Sequence, residues 1–126
     1  MKDYESKVVE VYGAELTLKE RIMLKDFSNM ASLNEVCEET ALVIKPVCCV
    51  KVDVHNEKSE NKDYSVYVVK DESGALYYTS SESFYRSYTD LYDELVDENI
   101  TEFEIKVYKK ESKNYKGKGF ITCSLI

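Results

Sequence analysis

The 126-residue chain has no tryptophan, a single histidine, one proline and four glycines. With one imidazole and no Gly-x-Ser-x-Gly turn, glycine-rich phosphate loop or His-Glu-x-x-His spacing, the motifs of the common hydrolases, nucleotide enzymes and zinc peptidases are missing. His55 lies on the polar side of an expected strand end and reads as a solvated residue rather than a general base. The adjacent carboxylates Glu38-Glu39 and Asp97-Glu98 fall at expected helix ends and lack a partner that would split their pKa values. The chain therefore reads as a binding protein and not an enzyme, with no cofactor and no metal. The four cysteines are Cys37, Cys48, Cys49 and Cys123; two are adjacent and none forms a Cys-x-x-Cys pair, which argues against a disulfide framework and a zinc site. Reduced thiols fit, with Cys49 and Cys123 as small core hydrophobes in apolar runs. The polar start MKDYESKVVE is no secretion signal, and no apolar run reaches the length of a membrane span. A soluble cytoplasmic protein without membrane partners is expected.

The length suits one domain around one core. A net charge of −7 would speak against nucleic acid, because phosphate neutralisation by Lys and Arg supplies most sequence-independent affinity. The charge is unevenly placed, however. Residues 106–118 (KVYKKESKNYKGK) hold six lysines and one glutamate, a local balance of +5 that leaves −12 for the rest. A basic segment is set on an acidic body.

Along the chain, 7–12 (KVVEVY) reads as a short strand and 16–27 as a helix opened by a Thr17–Glu20 capping box. A second box, Ser32 with Glu35, opens a short helix through Cys37, so that 1–40 reads as a helical prefix. From Leu42 the apolar period becomes two: Val50, Val52 and Val54 alternate with Lys51, Asp53 and His55 in one long strand, bent or bulged at Pro46. The polar stretch 55–63 is a loop, 64–70 a strand, 71–74 a tight turn and 75–79 a strand, giving a hairpin. Ser80 and Ser81 can cap a helix at 82–96, whose stripe Phe84, Tyr88, Leu91, Tyr92 and Leu95 is amphipathic. Strands at 103–108 and 120–125 flank the lysine-rich loop. The order β, β, β, α, β, β over 41–126 is that of a five-stranded antiparallel OB-type barrel, mainly β, with its helix between strands three and four. An open antiparallel α+β sheet is the alternative.

Eleven tyrosines are the most informative feature. Tyr88 and Tyr92 lie on the apolar helix stripe and read as core. Tyr67, Tyr77, Tyr108 and Phe120 alternate away from their apolar neighbours and are expected to face outward, on the surface where OB folds take oligonucleotides. Single strands are held without sequence preference by rings that stack on bases and by cations that follow the backbone. Lys51, Tyr67, Tyr77, Lys106, Tyr108, Lys109, Lys110, Lys113, Tyr115, Lys116, Lys118 and Phe120 are thus the candidate nucleic-acid-binding residues.

Three stretches, HNEKSENKDYSVYVV, GALYYTSSESFYRSYTDLYDEL and IKVYKKESKNYKGKGFITCSL, resemble segments of the small single-stranded-DNA-binding proteins of bacteriophages that infect Gram-positive bacteria. The most specific pieces are the Ser-Glu-Ser-Phe helix start and the Ser-Lys-Asn-Tyr-Lys-Gly-Lys loop ahead of Phe-Ile-Thr-Cys; the resemblance covers the last two thirds of the chain. It implies an OB fold, no enzymatic activity, residence in the host cytoplasm and coating of exposed single strands during phage replication or recombination. Tyr85 stands where the resemblance leads one to expect tryptophan, which puts a stacking role there in doubt. Single-stranded DNA is the expected partner, with a second copy of the chain and replication proteins as further candidates. The competing class is an acidic interaction module that binds a host or replication protein, a DNA mimic in charge. Net charge favours that class, whereas a lysine-rich loop carrying tyrosines serves a mimic poorly. No acidic tail follows Leu125, so recruitment of partners through such a tail is not expected.

Overall fold

β-Branched residues fill most of the buried strand positions, and the longest strands organise the fold. In the computed structural model residues 4–13, 17–23, 30–57, 63–100, 102–111 and 119–126 are described. Strand β1 (Tyr4–Gly13) is followed by helix α1 (Leu18–Met23), the short β2 (Ala31–Ser32) and α2 (Leu33–Val36). Then come β3 (Leu42–Ile44), β4 (Pro46–Asn56), β5 (Asp63–Asp71), β6 (Leu76–Thr79), α3 (Glu82–Asp97), β7 (Ile105–Glu111) and β8 (Gly119–Leu125). The architecture is mainly β, in two sheets: a five-stranded one ordered β1-β4-β5-β6-β2 and a three-stranded one ordered β3-β7-β8.

The larger sheet is covered on both faces. Val50, Val52 and Val54 of β4 sit beside Val66 and Val68 of β5 on one face, packed with Val8, Met30, Leu76 and Tyr78. Cys49, Tyr67 and Val69 point the other way into a second cluster with Phe84, Tyr85 and Tyr88 of α3 and Ile105, Val107, Ile121 and Cys123 of the smaller sheet. All four cysteines are buried free thiols, and burial raises the Cys123 thiol to about 12.

Three expectations need correction. The segment 1–40 is not a helical prefix outside the sheet: β1 runs antiparallel to β4 from Tyr4 opposite Asn56 to Gly13 opposite Cys48, with a bulge between Val8 and Glu10, and β2 adds parallel to β6. The valines of β1 suit a strand, and it ends at Gly13, whose φ of +128° and closeness to the Val47 carbonyl leave no room for a Cβ. Next, the long bent strand is two strands. β3 pairs with β7 in the smaller sheet, the chain breaks at Lys45, and β4 enters the larger one with a register shift between Pro46 and Cys48. Proline, having no N–H to give a ladder, marks the switch.

Finally, the two sheets are not closed into a five-stranded barrel: among the described residues no strand of one pairs with a strand of the other. The β6 edge is taken by β2, and α3 lies along β8. There the Ser81 hydroxyl donates to the Ile121 carbonyl at 2.5 Å, the Cys123 thiol faces the Phe84 carbonyl at 3.8 Å, and the Ser87 and Thr122 hydroxyls meet at 3.1 Å. An edge covered by helix side chains is protected from further pairing.

Local capping follows the expected chemistry in part. The Glu20 N–H donates to the Thr17 hydroxyl at 3.2 Å while the Thr17 N–H donates to the Glu20 carboxylate at 3.3 Å, so the first box forms. The Thr17 N–H bond, then Lys70 at 3.3 Å and the Thr17 hydroxyl, hold the Glu20 carboxyl below its ordinary pKa. The expected helix over 16–27 is seen over Leu18–Met23, and 24–29 lie outside the described residues. Ser32 precedes α2 without a side-chain cap bond. Ser81 does cap α3, accepting from the Phe84 N–H at 3.3 Å. Among the described residues no helix is long and apolar enough to cross a membrane.

Candidate nucleic-acid interface

The alternation of β7 and β8 divides their side chains cleanly. Ile105 and Val107 turn inward with Ile121 and Cys123, so Lys106, Tyr108 and Lys110 share the opposite face. In register these three stand beside Ser124, Thr122 and Phe120 respectively. The Tyr108 hydroxyl and Ser124 Oγ are 2.9 Å apart, and the Lys106 ammonium lies 5.9 Å from the centre of the Tyr108 ring. That is at the outer limit of a cation–π contact. The hairpin thus carries half-exposed rings and cations on one face, as its sequence pattern predicts.

Helix α3 supplies the other wall. Ser83, Arg86 and Ser87, spaced three and four apart, form one stripe of the helix. With Tyr108, Lys110, Phe120, Thr122 and Ser124 they line an open groove of about 420 Å³. Among the described residues Arg86 pairs with Glu82, its i−4 neighbour, at 3.5 Å, and its side chain is 76% exposed. An exposed pair of this kind contributes little, so the guanidinium is available to an anion. The groove combines hydroxyl donors, two cations and ring surface, the groups that hold phosphate oxygens and bases.

Not all candidate residues gather there. Tyr67 is only 6% exposed, and its expected outward orientation is corrected. Its ring stacks on Tyr85 with centroids 4.3 Å apart and planes at 15°. The physical reason is two-sided burial: Val66, Tyr67, Val68 and Val69 are all buried, the pattern of a strand covered on both faces. Tyr77, opposite Val69 on one side and Ala31 on the other, is half-buried against the same core and is likewise not an outward ring. Lys51 stands between Glu10 and Tyr67 in the larger sheet. Lys109 alternates to the hairpin's other face, where its stem lies against Gly119. Lys113, Tyr115, Lys116 and Lys118 lie outside the described residues.

Several aromatics form a connected set beneath α3. Tyr12 meets Tyr85 and Tyr92 edge-on at 5.8 and 5.5 Å, and Tyr88 stacks against Tyr92 at 6.2 Å. Tyr88 is buried and Tyr92 packs on the core, as their helix positions predict. The Tyr85 hydroxyl donates to the Glu10 carboxylate. Burial raises the phenols of Tyr67, Tyr85 and Tyr88 above their ordinary values.

His55, expected to be merely solvated, is held at both nitrogens, with Nδ1 2.6 Å from Asp63 and Nε2 2.7 Å from Glu57. The bonds to Asp63 and then Glu57 raise its pKa. This clasp closes the β4–β5 hairpin end, where His55 and Asp63 are cross-strand partners.

Ser83, Arg86, Ser87, Thr122 and Ser124 are groove-lining residues that sequence reasoning misses. The helix stripe is visible in the sequence as polar residues flanking Phe84 and Tyr88, but its meeting with the hairpin depends on α3 lying along β8.

The family model described as phage single-stranded DNA-binding protein matches residues 6–126. No curated protein and no solved structure matches the chain. The chain belongs to the phage single-stranded DNA-binding protein family, whose members bind DNA and are not enzymes.

Proposed function

We propose that this protein coats single-stranded DNA during phage replication or recombination, in the host cytoplasm, and that the strand lies on the β7–β8 face beside α3. The observation that carries the placement is the gathering of Tyr108, Phe120, Lys106 and Lys110 on one face next to Arg86. Bases would stack on Tyr108 and Phe120, while Arg86 and the lysines follow the phosphates and the groove hydroxyls donate to them. Lys113, Tyr115, Lys116 and Lys118, which fall between β7 and β8 in the sequence, add cations and a ring to the binding in this reading. Lys51, Tyr67 and Tyr77 take a supporting part at most, since their sheet is covered. Lys109 adds long-range attraction from the other face.

In this reading the chain is one domain with an OB-type path: β3 with β4, then β5, β6, β7 and β8 are its five strands. Helix α3, between β6 and β7, stands along β8 in place of a closing strand pair. Tyrosine fluorescence titrated with oligo-dT at several salt concentrations tests the proposal. Quenching that saturates, with an affinity whose logarithm falls by about 0.7 per neutralised phosphate for each unit of log salt, is the expected result. Absence of quenching, or binding indifferent to salt, would defeat it.

A further inference from the structure

The end of the molecule formed by the C-terminal half of α3 has a chemistry unlike that of the groove. Tyr88, Tyr92 and Phe103 line a cleft of about 410 Å³ together with Val47, Val96 and Ile100. The last three remain open to solvent, at 39%, 45% and 43% exposure. The helix terminates in a Schellman motif: the Asn99 N–H donates to the Val96 carbonyl at 3.0 Å and the Ile100 N–H to the Leu95 carbonyl at 2.8 Å, with Asn99 at φ +60°. Ile100 is thereby fixed at the cleft and not left in a wandering loop. A patch of large apolar side chains around a concavity is what soluble proteins keep for use.

The charge around it is mainly negative. Glu72 and Glu102 line the cleft, and Asp97 and Glu98 follow Val96 at the helix end, where α3 has no basic residue in its last turn. Carboxylates there oppose the negative end of the helix dipole, so helix stability does not account for them. Lys45, the one cation lining the cleft among the described residues, stands between Glu72 at 3.7 Å and Glu102 at 3.6 Å. The site already holds a cation between carboxylates beside an apolar hollow.

We propose that this cleft docks a partner protein through a cationic segment that carries an apolar or aromatic side chain. The ring or aliphatic group enters between Val47, Val96 and Ile100, and flanking Lys or Arg side chains meet Glu72, Asp97, Glu98 and Glu102. A DNA strand is repelled by the same carboxylates, and two copies joined end to end here would repel each other. The inference does not rest on the single-strand reading, since the cleft and the Tyr108 groove share no lining residue.

Because the chain has no tryptophan, the emission of a Lys-Lys-Trp-Lys-Lys amide excited at the red edge reports the peptide alone. Added to the full chain it should shift to the blue and saturate, with no shift from Glu-Glu-Trp-Glu-Glu. The shift should be lost in the Val96→Lys, Glu102→Lys variant, which keeps its oligo-dT affinity; Val96→Lys alone, at an exposed helix position, serves if the pair does not fold. No shift with the folded wild type, an equal shift in the variants, or a shift with the acidic peptide would overturn the proposal. Self-association in sedimentation velocity that Val96→Lys abolishes would also overturn it, making a second copy the occupant.

Discussion

The two sheets treat the same kind of sequence in opposite ways. In β5 and in β7 a tyrosine follows a valine, yet Tyr67 is stacked under Tyr85 while Tyr108 lines an open groove. The difference lies in what covers the second face. The larger sheet has α3 and the smaller sheet against one face and Met30 packed against the valines of the other, whereas among the described residues the Tyr108 face of the smaller sheet has the edge of α3 beside it. Alternation tells which residues share a face; it does not tell whether that face stays open.

The largest effect that separates the two sheets is on stability. Tyr67→Ala should cost about 3–5 kcal/mol, as truncation of a buried ring does, and denaturant unfolding should show it as a lower midpoint. Tyr108→Ala should cost no more than about 1 kcal/mol in the same measurement, because only a half-exposed ring is removed. Equal losses at both positions would mean that the two faces are equally covered.

A second, smaller effect concerns charge. Arg86→Glu with Lys110→Glu should weaken oligo-dT binding for every sequence and lower the salt slope by about 0.7 for each phosphate no longer neutralised, with the unfolding midpoint nearly unchanged since both are exposed. Reversal of Lys51 in the larger sheet should weaken binding less. If Lys51→Glu matters more, the strand runs over β4 and β5.

The smallest effect belongs to the His55 clasp. Its pKa is raised in the folded state by Asp63 and Glu57. The stability it contributes is therefore fully present below the ordinary value near 6.5 and lost as pH rises through the folded value. Wild type should lose a little stability across that window and His55→Gln should not, measured as the unfolding midpoint against pH. A wild-type profile parallel to that of the variant would show the clasp to be inert.

What could be read in the sequence was whatever depended on neighbours in the chain. The Thr17–Glu20 box, the Ser81 cap, the helix stripe of α3 and the one-sided alternation of β7 and β8 all have their partners within a few residues. The two-sided burial of β5 had a signal in the unbroken run Val66–Tyr67–Val68–Val69, which alternation alone passes over. The place of β1 in the larger sheet and the change of sheets at Lys45–Pro46 depend on pairings tens of residues away. The groove itself, with Arg86 beside Tyr108 and Phe120, exists only because α3 covers the edge of β8. No local pattern contains that meeting of helix and hairpin.

The central claim is that the single strand lies on the β7–β8 face, and the Tyr108→Ala, Phe120→Ala double variant tests it most directly. With folding verified by denaturant unfolding, its oligo-dT affinity should fall by about 1–3 kcal/mol for each base left unstacked, while a Tyr77→Ala variant that remains folded should bind nearly as wild type does. Wild-type affinity in a stably folded double variant would contradict the claim.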